Sequence, residues 1–421
     1  MSMSRLRVNQ LRRLDPEAWT ELLHTEASLD AVVVRSVATE ALPHPPRSEP
    51  RPGPENWADL RRYLLTIANQ SEPVPLVGKQ SNLAEAHFYR ELARQLPALT
   101  PRCWLNHISA STDRSWLVLD DVPNHRPAGT WTADEVERNL AALVNVHATF
   151  WQQQDLLLGL EWLPNYLARP GRGSAQRGYY ELMLDNSTHL GLGRAAAISA
   201  HALQTAGRLA PVLVRSAAGL ETLRHLGGWP NLLEEPHLQA IAELLDDPIP
   251  MLQPLRELPI TLLHGDPAPR HWHVTLFNER YLLDWHTVQS GPAVCELVDL
   301  LEKLQQFWLT EPGRGGLELP ITEETMVDSY LLRMSMQLGG SFSARTLRQA
   351  IPAALCLYVL TTWLPRFAEW FHPFVGSPHT WEMATHMNEA QLHTIGLGQM
   401  AGLRPYLANL FHRFHLAARA L

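Results

Sequence analysis

The chain has 421 residues, 45% of them apolar and 19% charged, with a formal charge of −8. That is enough for two or three lobes around a large buried core, in the composition of an ordinary soluble protein. The mild acidity and the absence of a basic run exclude a general nucleic-acid binder and lean toward a cationic partner.

In chain order, the first third reads as mixed strand and helix. Ala31 to Val34 is a short β-branched strand, Leu60 to Ile67 a second, and Val74 to Gln80 a third. Between the first two lie Pro43, Pro45, Pro46, Pro50, Pro52 and Pro54, which predict an extended loop. Asn82 caps a helix whose face carries Leu83, His87, Phe88, Glu91, Leu92 and Leu96. Ser115 to Leu119 is a further strand ending at Asp120 and Asp121.

From there the pattern turns helical. Thr132 opens a helix with Asp134 and Glu135 in its first turn, where the dipole favours acids. Helical spacing continues over Tyr179 to Leu184, Arg194 to Ser216 and His237 to Leu245. A hairpin comes next, followed by helices over Val294 to Trp308, Glu323 to Gln337, Ala344 to Phe371 and Pro405 to Ala420. The expected plan is α+β and two-lobed: a small β-rich lobe over residues 1–119 and a large helical lobe over 120–421 with one embedded hairpin.

Three scattered cysteines, Cys103, Cys295 and Cys356, build neither a disulfide framework nor a zinc site, which suits a reducing, cytoplasmic compartment. Met1 to Leu14 lacks the apolar core of a signal peptide. The apolar run Ala350 to Leu364 is shorter than the ~20 residues of a membrane span and contains Pro352, so no membrane partner is expected.

The chemistry concentrates in Leu262-Leu263-His264-Gly265-Asp266 and Leu283-Asp284-Trp285. Each acid follows an apolar strand, and a short hairpin separates them. One carboxylate beside a reacting hydroxyl and another on a metal is what phosphoryl transfer requires. Asp266 would orient and deprotonate the acceptor hydroxyl, His264 would brace its loop, and Asp284 would hold magnesium. Upstream, Lys79 ends a strand where an ammonium can meet phosphates, and Glu85 is the acid placed to pin it. Asp120, Asp121 and Val122 form a junction whose backbone can meet a nucleobase edge, leaving the side chains free. The same region also admits a metal-hydrolase reading, because His264, His271, His273 and His286 surround the two acids. Trp151, Trp162, Trp363, Trp370 and Phe371 are expected mostly in the core, with one or two free to wall an acceptor pocket.

Taken together these segments resemble the aminoglycoside phosphotransferase and choline kinase-like group, a branch of the protein-kinase fold. The resemblance rests on His264-Gly265-Asp266, the Tyr281-Leu282-Leu283-Asp284-Trp285 strand end, Gly291-Pro292 with Glu296-Leu297, and Glu85 to Leu92. Leu117 to Asp121 and Leu143 to Trp151 are similar to the group's hinge and first large-lobe helix. The resemblance implies ATP or GTP with Mg2+, and a small-molecule hydroxyl acceptor. It implies Lys79, Glu85, Asp120, Asp121 and Val122 at the nucleotide, and Asp284 with the His271 position at the metal. Two departures stand out. His271 takes the place of the group's metal-binding Asn, and imidazole prefers softer metals than magnesium. The phosphate-covering span, Thr39 to Trp57, is rich in proline and has only Gly53 where the group carries glycines. The expected activity is therefore an ATP-dependent small-molecule kinase, with a catalytically impaired nucleotide- or partner-binding relative as the alternative.

Overall fold

A computed structural model describes residues 14–26, 32–42, 60–109, 114–122, 125–168, 198–310, 320–395 and 397–421. The chain first builds a five-stranded antiparallel sheet in the order β1-β2-β3-β5-β4. Its strands are β1 (Val34–Ala41), β2 (Leu60–Ile67), β3 (Val74–Asn82), β4 (Cys103–Ile108) and β5 (Arg114–Asp120). Ahead of it runs α1 (Pro16–Glu26), and between β3 and β4 lies α2 (Leu83–Glu91).

The interior strand β5 explains why this sheet is covered on both sides. Along β5, Trp116 and Val118 join Trp19, Leu22 and Leu23 of α1, whereas Leu117 and Leu119 join Phe88 and Tyr89 of α2. Successive strand residues face opposite ways, so an unbroken apolar run such as Trp116 to Leu119 must be buried on both faces. The first β-strand is Val34–Ala41 rather than Ala31 to Val34, because pairing with β2 extends it past the apolar run. Pairing with β5 likewise carries β3 on to Asn82. Neither α1 nor β4 was expected from the pattern.

The second part is mainly helical. Its first helices are α3 (Ala133–Thr149), α4 (Gln154–Gly159), α5 (Ala200–Ala206), α6 (Ala210–His225), α7 (Glu235–Asp246) and α8 (Ile249–Arg256). Thr132 and Glu135 close a reciprocal capping box at the start of α3, as its sequence predicts. Two small sheets, not one hairpin, then hold the acids. β7 (Ile260–Leu263) pairs with β10 (Gln289–Pro292), and β6 (His125–Arg126), β8 (Trp272–Thr275) and β9 (Arg280–Leu282) form the other.

Directly after β10 comes α9 (Ala293–Thr310), followed by α10 (Glu323–Leu338). The expected long helix from Ala344 is divided into α11 (Ala344–Gln349), α12 (Ile351–Tyr358), a π-helical turn at Val359–Trp363 and α13 (Leu364–Val375). Pro352 and Pro365 sit in the first turns of α12 and α13, where a missing amide hydrogen costs least. This 344–375 stretch has the length and hydropathy of a membrane span, yet 72% of its apolar window is buried inside the protein. Short helices α14 (Pro378–His386) and α15 (Glu389–Thr394) precede α16 (Gly398–Ala420), which begins ahead of Pro405 and carries that proline inside it. The phosphate-covering loop from residue 43 onward and the helix expected over Tyr179 to Leu184 lie outside the described residues.

Candidate active site

Lys79 projects from β3 opposite Leu117 of β5. Its ammonium lies 2.9 Å from Glu85 Oε1 and 2.8 Å from Asp284 Oδ1, so one cation joins the first sheet, α2 and the loop after β9. Burial alone would lower the lysine pKa, but Glu85 and Asp284 outweigh it and hold the ammonium above its ordinary range.

Glu85 is fully buried and uses its other bonds to fix its own position. It accepts from the Ser81 hydroxyl and, at 3.1 Å, from the Trp285 amide. Asn82 serves both partners. Its side-chain oxygen caps α2 through the Glu85 amide at 3.0 Å, and its side-chain nitrogen donates to the His286 carbonyl at 2.8 Å. The Trp285 ring stacks on Phe88 of α2, with centroids 3.9 Å apart, and clamps the helix to the Asp284 loop.

Asp284 has a left-handed backbone, φ 69° and ψ 57°, which aspartate tolerates better than most residues. Burial would raise its carboxyl, but Lys79 first, then His286 and His271, hold it well below the usual carboxylate range. His286 Nδ1 is 3.1 Å from Asp284 Oδ1, and His271 Nδ1 is 3.6 Å from Oδ2.

Asp266 follows β7 by three residues and is 4% exposed. His264 braces it through one neutral tautomer. Nε2 faces the Leu283 carbonyl at 2.9 Å and must donate to it, which leaves Nδ1 to accept the Asp266 amide at 3.2 Å. Burial pushes the His264 pKa down to about 4, in keeping with that neutral ring. One imidazole thus ties the backbone beside each acid to the other. Between them Gly265 has φ +85°, and a Cβ there would lie 2.2 Å from the Thr287 carbonyl oxygen.

Beneath this loop, Glu296 of α9 accepts the amides of His264 at 3.0 Å and Gly265 at 2.6 Å. His147 of α3 bonds Glu296 at 3.0 Å, and Tyr330 of α10 bonds His147 at 2.6 Å. Three helices of the second part therefore set the position of the Asp266 loop. His147 and Glu296 had a signal in the sequence only through the family resemblance, and Tyr330 had none.

Asp266 does not stand alone. Lys303 of α9 lies 2.7 Å from its Oδ1 and 2.6 Å from Asp299, while His271 Nε2 lies 3.1 Å from Oδ2 and Arg270 also bonds Oδ2. Against burial, these partners hold the Asp266 carboxyl far below the usual range. Nothing in local spacing pointed to Lys303, because it lies 37 positions beyond Asp266.

The remaining expected residues divide. The carboxylates of Asp120 and Asp121 are engaged rather than free. Asp120 accepts from the Trp104 indole at 2.6 Å, and Asp121 accepts from Arg62 at 2.7 Å. Their amides are used as well, by the carbonyls of Arg102 and Pro75. The Val122 backbone meets the His273 ring, which stacks on His125 with centroids 4.0 Å apart.

His271 and His273 thus diverge, the first toward the acids and the second toward the hinge. His271 closes a 3-10 turn (Pro269–His271) rather than sharing a strand face with His273. Among the described residues no group of three or more His, Cys, Asp and Glu is arranged to hold a metal. Trp151, Trp363 and Phe371 are core, while Trp162 stacks on His87 and donates to Glu91 at 3.0 Å.

Magnesium is commonly held by one or two carboxylates together with substrate phosphates. Asp284, beside Lys79 and with a side chain 35% exposed, fits that mode, whereas the imidazole of His271 adds a softer donor that is already bonded to Asp266.

The sequence model of the phosphotransferase enzyme family matches residues 55–320. Solved structures with a similar fold include an aminoglycoside phosphotransferase from Alicyclobacillus acidocaldarius subsp. acidocaldarius DSM 446, at 14% identity and TM-score 0.42, covering 90% of this chain and 97% of that one. A Plasmodium vivax ethanolamine kinase is 9% identical with TM-score 0.42, covering 83% and 82%. An aminoglycoside phosphotransferase from Streptomyces rimosus ATCC10970, solved with ADP and streptomycin, is 13% identical with TM-score 0.31, covering 73% and 90%. These likenesses are distant. No curated protein matches the chain. With Lys79, Glu85, Asp266 and Asp284 inside the matched span, the chain belongs to the phosphotransferase enzyme family and has its two-part, protein-kinase-like fold.

Proposed function

We propose that the protein transfers the γ-phosphoryl group of ATP, or of GTP, to a hydroxyl of a small molecule. The observation that carries this reading is the single ammonium of Lys79 shared by Glu85 and Asp284, with Asp266 held on its own loop by His264. Lys79 supplies positive charge to the phosphates, and Glu85 keeps it in place. Asp284 would hold Mg2+, which supplies charge neutralisation on the phosphates when bound. Asp266 receives the acceptor hydroxyl and aligns it for in-line attack. Lys79 bonds an Asp284 oxygen, and nucleotide and metal would compete with that ion pair. The three cysteines are unpaired, which suits action in a reducing compartment such as the cytoplasm.

A second reading has a specific observation behind it. Asp266 is occupied by Lys303, Arg270 and His271, and a carboxylate so neutralised is a weak base. A chain that binds nucleotide without transferring phosphate would keep the Lys79 arrangement and leave Asp266 locked. One pair of measurements separates the two. Calorimetric titration with a non-hydrolysable ATP analogue, with and without Mg2+, reads binding, and ADP release in the presence of an acceptor panel reads transfer. The kinase reading predicts magnesium-dependent binding, and acceptor-dependent turnover that Asp266→Asn abolishes while nucleotide affinity stays within about threefold. Binding with no turnover on any acceptor would give the second reading first place.

A further inference from the structure

Acidic composition leans toward a cationic acceptor, but the charges around Asp266 lean the other way. Glu296, Asp299 and Glu302, three acids of α9, are each already matched. Glu296 accepts two backbone amides and His147, Asp299 holds Lys303, and Glu302 holds Arg413 at 2.8 Å. Asp266 has cations on both oxygens. Asp284, on the other side of His271, is likewise paired, with Lys79.

The cations, by contrast, have donors to spare. An ammonium carries three N–H groups, and Lys303 uses one on Asp266 and one on Asp299. A guanidinium carries five, and Arg270, whose side chain is 57% exposed, gives Asp266 one nitrogen. An acceptor hydroxyl bonded to Asp266 Oδ1 at about 2.7 Å would lie within about 5.4 Å of Lys303 Nζ. A charge close to that hydroxyl therefore lies beside Lys303 and Arg270, whose own carboxylate partners Asp266 and Asp299 are already paired.

We propose that the acceptor carries an anionic oxygen group, a carboxylate being the simplest, beside its reacting hydroxyl, and that Lys303 with Arg270 selects it. The proposal rests on the phosphotransferase reading above for the role of Asp266. Lys303 stays anchored on Asp299, yields its Asp266 oxygen to the hydroxyl and turns its remaining donors to the anion. An ammonium at the same place would be repelled by both side chains.

The test uses two triplets that share a polyol and differ only in charge: gluconate, glucitol and glucamine, and glycerate, glycerol and 3-amino-1,2-propanediol. Binding to the full chain is measured by calorimetry without nucleotide, and ATP-dependent turnover is measured in parallel. The acid of at least one triplet should bind about tenfold more tightly than its alcohol, and the amine most weakly. Lys303→Met should shrink that preference to about threefold or less, and Lys303→Arg should keep most of it. Arg270→Gln, at an exposed position that spares folding, should also reduce it.

Equal binding of all three members, tighter binding of the amine, or no binding by any would overturn the assignment. So would a loss of turnover in Lys303→Met that is the same for all three with KM unchanged, since Lys303 would then act on the transferred phosphoryl group. The two readings fail separately. A Lys303-dependent preference for acids without binding of an ATP analogue would sink the kinase and spare the acceptor assignment. Nucleotide binding without charge preference would do the reverse.

Discussion

Gly265 shows how a single residue can carry the geometry of two acids. Its positive φ turns the chain between His264 and Asp266, and its missing side chain makes room for the Thr287 carbonyl. Gly265→Ala must strain the backbone and push Thr287 away, against backbone on both sides. The expected loss is about 2 kcal/mol or more, read as a lower urea midpoint at unchanged slope. Turnover should fall with it, because the Asp266 amide would leave His264 Nδ1. An unchanged midpoint would mean that the loop re-forms around the methyl group. The His-Gly-Asp string shows the two chemical residues, and glycine's role there is legible as a tight turn. The neutral tautomer of His264 is not legible, since it depends on the Leu283 carbonyl arriving from another strand.

At the scale of elements, the coupling of α2 to the loop after β9 is what assembles the site. Phe88 and Trp285 are both fully buried and stacked, while Glu85 and Asn82 supply the polar bonds across the same joint. Phe88→Ala should cost about 3–5 kcal/mol through the cavity left against Trp285, seen in denaturant unfolding. It should also weaken binding of an ATP analogue more than Asp266→Asn does, because it loosens Glu85 and with it Lys79. If nucleotide affinity stayed at the wild-type level, the stack would be structural alone. Helical spacing from Leu83 to Leu96 revealed α2 and its cap, but not its partner. The long apolar run from Ala344 illustrates the opposite failure. Periodicity joins what Pro352, the π-helical turn and Pro365 divide.

For the whole molecule, buried titratable groups give opposing dependences on pH. Burial pushes His264 and His273 down to about 4, so their stabilising contribution is present above an ordinary histidine value and is lost as pH falls toward 4. Burial pushes Asp299 up to about 6 and Glu302 up to about 7, with Lys303 and Arg413 only partly offsetting it. Their contribution is present below ordinary carboxylate values and is lost as pH rises through 6 to 7. Between about pH 5 and pH 6.5 the two pairs pull against each other, which favours a shallow profile. Glu302→Gln removes the larger carboxylate contribution to that balance and leaves Asp299. The variant should lose stability on acidification from pH 6.5 to 5 more steeply than the wild type, in thermal unfolding at matched ionic strength. Parallel profiles would show that Glu302 does not titrate in that window.

Local chemistry was enough to determine that two acids follow apolar strands, that Lys79 and Glu85 flank a strand-to-helix junction, and that a β-rich part precedes a helical one. Each of these depends on residues within a turn or two of one another, where spacing and side-chain type act directly. Tertiary structure alone decided that Lys79 reaches Asp284 across 205 positions, that α1 covers the second face of the sheet, and that Lys303 meets Asp266. Those contacts come from packing whole elements against a common core. The charge that an acceptor would meet is therefore set by the fold and runs against the overall acidity of the chain.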